Sequence, residues 1–204
     1  MTLQEVINNI KSLGFSDDAE MDEFAESGVL YDSINRAVSI ISREVKPIIG
    51  EYRIEQDGTD EEYNYYDMRE LTKMDGKQTF LSFRKNPVMI ENSSGVGYKP
   101  FSDFDIEQDS ILVLAPEVEG TFKIFYRKDH VPYTADTDLN TELELPLATH
   151  DLVPLLAGYY VWLEDEPTKA AQYYNLYEQG KEAILTEQDN ITNRIRVRVL
   201  PGGM

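Results

Sequence analysis

The apolar positions along the chain change period twice, from helical spacing to alternation and back. Near the start, Leu3, Val6, Ile7, Ile10 and Leu13 recur at helical spacing. Thr2 and Glu5 make a capping box ahead of them, and Gly14 ends the run. The acidic stretch FSDDAEMDEFAES that follows is open between a loop and a short helix. A second helix is expected from about Gly28, with Leu30, Ile34, Ala37, Val38, Ile41 and Val45 as its apolar stripe. Arg43 and Lys46 suit its C-terminal end, and Pro47 limits it.

From about Glu51 the period becomes two. EYRIEQ alternates and meets the turn-like DGTDEE. TFLSFRKNP, VMIEN, SILVLAP and TFKIFYRKD each read as strands, punctuated by Gly95, Gly97, Pro100 and Gly120. PEVEG reads as a five-residue hairpin loop joining the last two. Residues from about 51 to 130 therefore predict a small antiparallel β unit. HVPYTADTDLNTE then reads as a polar linker, and helical spacing resumes after LELPLATHD.

The second helical region predicts a hairpin. With Thr149 or Asp151 as N-cap, Pro154 falls in the first helical turn, where no intrahelical N–H bond is needed. Leu155, Leu156, Tyr159, Tyr160, Trp162 and Leu163 make that helix apolar nearly all round, as in a buried helix. In EDEP, Pro167 suits the first position of a new helix, capped by Asp165 or Glu166. Ala170, Tyr173, Tyr174, Tyr177, Gly180 and Ile184 then share one face. So short a connection brings the two helices together antiparallel. Glu164, Asp165 and Glu166 read as a solvated turn rather than a catalytic carboxylate pair, which needs one desolvated member.

The end of the chain alternates again. Arg194, Arg196 and Arg198 interleave with Ile195, Val197 and Val199, a β pattern with a basic face. A lone terminal segment of this length needs a sheet edge to join. It is open between an edge strand, on its own chain or a neighbour's, and a frayed end.

Composition narrows the partners. The 204 residues carry 38 acidic and 19 basic side chains, a formal net charge of -19. Affinity for DNA comes largely from cations that neutralise phosphates, so this surface repels nucleic acid in general. No cysteine is present, which removes disulfides and thiolate metal sites. The N-terminal residues lack the pattern of a secretory signal, and no apolar stretch approaches membrane-spanning length, so export and membrane insertion are not expected.

Candidate chemistry is thin. His130 and His150, the two histidines, sit in no nucleophile motif and read as surface or capping residues. DFDIEQD, with Asp103, Asp105, Glu107 and Asp109, has calcium-loop spacing at first sight. The EF-hand pattern needs Gly and Glu where Gln108 and Leu114 stand, so acids on a strand or turn fit better. SSGVG lacks the phosphate-loop lysine. The NYYD cluster suits either half-buried strand positions or a sugar- or peptide-binding face. No catalytic residue, metal or cofactor is expected.

The element order resembles that of the head-to-tail connector (adaptor) proteins of tailed bacteriophages. The resemblance is carried by LPLATHDLVPLLAGYYVWLEDEPTKAAQYYNLYEQGKEAIL, from Leu145 to Leu185: a proline-containing lead-in, an aromatic-rich buried helix, an acidic turn and a tyrosine-rich second helix. YDSINRAVSIISREV, from Tyr31 to Val45, is similar to the earlier helix of that pattern. The smaller siphophage adaptors lack so large an insertion, and the layout is closer to adaptors with a β domain. The expected fold is α+β: a helical bundle from residues 1–50 and 145–190, an inserted β domain over 51–135 and a tail over 191–204. The hairpin would pack through Leu155, Leu156, Tyr159, Trp162, Tyr173, Tyr174, Tyr177 and Ile184.

What the resemblance implies is structural work in a virion. Such adaptors form a homo-oligomeric ring, typically twelve-fold, under the portal protein and above a neighbouring neck or tail protein. DNA leaves the capsid through the channel without specific binding. On that analogy Arg194, Ile195, Arg196, Val197, Arg198 and Val199 form an assembly tail, and the protein is assembled in the bacterial cytoplasm into the head–tail junction. Two readings from other classes stand beside it. One is a binding module whose β domain holds a carbohydrate or peptide on a virion or cell surface. The other is a hydrolase, which the lack of a metal motif or triad weakens most.

Overall fold

The computed structural model describes residues 1–14, 28–59, 61–74, 76, 77, 79–92 and 95–197. The chain divides into two compact units, one of residues 1–47 and 132–204, the other of residues 48–131.

The first unit is helical. α1 (Leu3–Gly14) buries Leu3, Val6 and Ile10. Its start is held by the reciprocal cap: the Thr2 amide donates to Glu5 Oε2 at 2.9 Å and the Glu5 amide to Thr2 Oγ1 at 3.2 Å. α2 (Val29–Glu44) follows Gly28, whose φ of 79° a side chain would disfavour. Its stripe of Leu30, Ile34, Ala37, Val38 and Ile41 is buried. Leu13, by contrast, is 46% exposed, since it stands in the last turn of α1.

Residues 132–146 are not a free linker. Asn35 on α2 donates to the Tyr133 carbonyl at 2.9 Å and accepts from the Tyr133 amide at 2.8 Å. Thr2 bridges to Glu142, and Tyr133, Leu143 and Leu145 are buried. Polar composition hid these anchors, each of which is a long-range pairing.

The second unit is two antiparallel sheets around one core. β1 (Ile49–Asp57), β7 (Glu119–Lys128), β3 (Phe80–Glu91) and β4 (Tyr98–Pro100) form one sheet in the order β1-β7-β3-β4. β2 (Asn64–Asp67), β6 (Ile111–Leu114) and β5 (Phe104–Glu107) form the other, in the order β2-β6-β5. A four-residue helix, α3 (Met68–Leu71), follows β2. The alternation of β7 sends Phe122, Ile124 and Tyr126 inward, where they meet Ile54, Phe80 and Val88 from their own sheet and Leu112 and Leu114 from the other.

Two strand expectations are corrected. TFLSFRKNP and VMIEN are one strand, β3, with a register shift between Phe83 and Val88. Asn86 adopts φ 55° there, so the bulge absorbs Pro87 without ending the strand. PEVEG is not a hairpin loop, because β6 and β7 belong to different sheets. The crossover is held by Gln56, whose Nε2 donates to the Ala115 carbonyl at 2.6 Å and the Val118 carbonyl at 2.8 Å. Its Oε1 accepts from the Tyr66 hydroxyl at 3.3 Å. Gln56→Leu keeps the bulk and removes these bonds, so it should cost about 1–3 kcal/mol. A urea midpoint that does not move would show that the crossover is held by other contacts.

Of the acids of DFDIEQD, Asp105 and Glu107 sit on β5, Asp103 stands just before it and Asp109 lies in the turn after it. Gln108 and Asp109 have φ of 48° and 61°, and the Ser110 amide donates to the Glu107 carbonyl at 3.2 Å. Positive φ at both central positions is the primed turn that suits strand twist, and it closes the β5–β6 hairpin.

Candidate functional site: the helical hairpin and its acidic groove

After a 3-10 turn (Leu147–Thr149), α4 runs over Leu152–Trp162 and α5 over Pro167–Val197. Pro154 lies in the first turn of α4. Neither expected cap operates by its side chain. Asp151 occupies the N-cap position without a side-chain bond, and Thr149 Oγ1 donates back to the Pro146 carbonyl at 2.7 Å. Pro167 opens α5, where its fixed φ and missing N–H cost nothing.

The two helices are antiparallel. Lys169 meets Trp162, Tyr174 meets Tyr159, Tyr173 meets Gly158, and Gly180 lies against Leu152, so partners advance along α5 as they retreat along α4. α4 packs against α1, α2 and α5. That contact on several sides accounts for its lack of a polar face. Leu156 and Trp162 are buried, while Leu155 and Tyr159 are half-buried. On α5, Ala170, Tyr173 and Tyr177 are buried, Ile184 is half-buried and Tyr174 is 41% exposed. Tyr174 lies at the rim, between the rings of Tyr159 and Tyr177 at 5.1 and 6.0 Å.

Polar contacts tie this hairpin to the other helices. The Tyr173 hydroxyl donates to the Leu13 carbonyl at the end of α1. Lys181 bonds Glu44 on α2 at 3.2 Å and Glu178 at 2.8 Å. Burial opposes its charge, but the hydrogen bonds from Glu178 and Glu44 outweigh that and hold the ammonium above the usual lysine range. Burial pushes the Tyr177 hydroxyl up to about 12. Burial, then the nearby Glu144 carboxylate, pushes Tyr133 up to about 12 as well. These tyrosines stay neutral across the working pH range and serve packing rather than proton transfer.

The acids of the turn are in solvent: Glu164, Asp165 and Glu166 are all exposed. Lys169 approaches Glu166 at 4.0 Å while its ammonium lies 3.2 Å from the centre of the Trp162 ring. Beside this turn is a groove of about 310 Å³ between α2 and α4. Val29, Asp32, Ser33 and Arg36 of α2 form one wall, and Tyr160, Val161, Leu163, Glu164 and Asp165 the other. Arg36 stacks on Tyr160, its Cζ 4.1 Å from the ring centre. Sequence reasoning passed over this groove because its two walls lie more than a hundred residues apart in the chain.

Both histidines are buried, not on the surface as the sequence reading allowed. His150 Nε2 bonds the Leu145 carbonyl at 2.8 Å, and His130 Nδ1 lies 3.6 Å from Asp129. Among the described residues, no three His, Cys, Asp or Glu side chains converge as metal ligands, and no helix is long and apolar enough to cross a membrane. In the NYYD cluster, Tyr66 is half-buried and Tyr65 stands 60% exposed.

The basic segment is not a strand where it is described. Arg194, Ile195, Arg196 and Val197 continue α5, while Arg198 and Val199 lie outside the described residues. A helix already many turns long adds a residue at little cost, which outweighs a weak local β preference.

The chain was compared with known proteins. No curated protein matches it in sequence. A family model described as SU10 adaptor protein matches residues 1–198, which takes in both helical segments and the whole of the inserted β unit. A structural adaptor family of this kind points to a phage virion component that works without catalysis. The chain belongs to the SU10 adaptor protein family.

Proposed function

We propose that the protein is a non-enzymatic head-to-tail connector of a tailed phage, assembled as a closed ring below the portal and traversed by the genome. The observation that carries this reading is the family match over residues 1–198. Two further features support it. The helical unit packs α4 and α5 antiparallel over the buried Tyr173 and Tyr177, a frame suited to repeated subunit contacts. The net charge of -19 would let DNA slide past without adhering. The expected partners are copies of itself, the portal protein and a neighbouring neck or tail protein, at the head–tail junction of the virion.

The test is reconstitution. Full-length protein mixed with the portal protein of its own phage, viewed by electron microscopy, should add a ring of density below the portal, typically twelve-fold. A chain that stays monomeric beside intact portals, and that specific antibodies do not locate at the virion neck, would overturn the reading.

A further inference from the structure

The outer faces of the two sheets of the β unit carry opposite charge. On the four-stranded sheet, Phe122, Ile124 and Tyr126 of β7 point into the core, so Lys123, Phe125 and Arg127 point away from it. Arg53 of β1 lies directly across from Lys123, and the bulge of β3 brings Arg84 over the Phe125 ring, its Cζ 5.9 Å from the centre. Two cations set opposite each other weaken a strand pair. Glu51 answers Lys123 at 2.7 Å. Among the described residues, Arg53, Arg84 and Arg127 have no carboxylate within ion-pair distance, and Arg127 Nε is buried without a hydrogen-bond partner. In a chain with 38 acidic and 19 basic side chains, three unanswered arginines on one face await an anionic partner.

The complement stands on the far side of the same core. Leu112 and Leu114 of β6 face inward with Tyr66 and Phe104. Tyr65, Asp105 and Glu107 alternate with the inward residues and are exposed, Tyr65 at 60%. Asp103 and Asp109 extend the two-residue spacing beyond the ends of β5 and are exposed as well. β2, β5 and β6 contain no lysine or arginine. Acids two residues apart stand about 7 Å apart along a strand, and Lys123 and Arg127 are two such steps apart, so the two rows share one period. The core lies between the two faces, so they cannot meet within one chain.

We infer that the basic face of the four-stranded sheet docks the acidic β5 row of a second copy. A two-fold contact through either face would set like charges together. Opposite faces instead favour head-to-tail contact, the kind that closes into a ring. The net charge of -19 favours a protein partner over nucleic acid, whose phosphates would meet the field of the other acids. So few side chains make less than a whole stable interface, and the contact orients neighbours more than it holds them. The inference rests on the self-assembly proposed above, but not on the portal or on DNA.

Arg53→Glu with Arg84→Glu makes both faces acidic, and Asp105→Lys with Glu107→Lys makes both basic. All four side chains are exposed, so each variant should keep the wild-type melting curve. Ring formation by full-length protein, alone and on the portal, is followed by electron microscopy against protein concentration. Each variant by itself should need at least about tenfold more protein than wild type. An equimolar mixture of the two should assemble within about threefold of wild type, as alternating copies, because every contact then joins an acidic face to a basic one. Variants that form rings at the wild-type concentration would sink this inference and leave the connector reading standing. Loss that mixing does not repair would give the basic face to another partner and overturn the inference too. A DNA gel shift abolished by Arg53→Glu with Arg84→Glu would then identify that partner as nucleic acid. A wild-type chain that forms no ring in either setting would remove both readings.

Discussion

Replacing Trp162 with alanine is expected to destabilise the helical unit by about 3–5 kcal/mol, a large share of the stability of an ordinary domain. Trp162 ends α4 with 2% of its surface exposed and is among the largest fully buried side chains. Its ring also carries the Lys169 ammonium, 3.2 Å from the ring centre, so the substitution opens a cavity and strands a cation at the hairpin turn. Urea unfolding followed by far-ultraviolet circular dichroism measures the effect. Trp162→Phe keeps most of the volume and should recover more than half of the loss. A Trp162→Ala midpoint within experimental error of wild type would mean that the hairpin does not depend on this contact.

The second large effect is expected in the other unit. Phe122→Ala should cost about 3–5 kcal/mol. Phe122 is fully buried on β7, the strand that pairs with both β1 and β3. Its ring packs edge-on against Phe101 with centroids 5.2 Å apart. A cavity there touches both sheets, because Leu112 and Leu114 share the same core. Since Trp162 lies outside this unit, it provides an internal fluorescence control. A Phe122→Ala variant should lose β-unit protection in hydrogen exchange while its Trp162 emission at low denaturant stays native. Simultaneous loss of both signals would instead mean that the two units unfold as one.

The sequence was most legible where one or two neighbouring residues decide the backbone. The Thr2–Glu5 cap and Pro167 at the head of α5 are such cases, because the chemistry that sets each is complete within a turn. Helix stripes were nearly as clear, since Leu30, Ile34, Ala37, Val38 and Ile41 repeat along a whole helix. Pairing was not legible. Nothing in SILVLAP says that its strand joins NYYD and DFDIE rather than the strand that follows it. That choice depends on which apolar face meets which sheet, and on Gln56, distant in sequence, holding the crossover. Arg194–Val197 misled for a different reason, as alternation over four residues is a weak signal against the momentum of a long helix. The groove was invisible because its walls come from segments more than a hundred residues apart.

The β unit begins and ends side by side. Ile49 pairs with Arg127, and the Lys128 amide donates to the Ile48 carbonyl at 3.1 Å, so the strands that enter and leave it are hydrogen-bonded neighbours. An insert with adjacent ends asks almost nothing of its host, because the interrupted chain is separated by only the width of a strand pair, about 5 Å. A gene encoding the helical frame alone could gain or lose these residues in one recombination event with its reading order otherwise intact. The insert is then a cassette, free to diverge in sequence at its own pace while the frame keeps its own core.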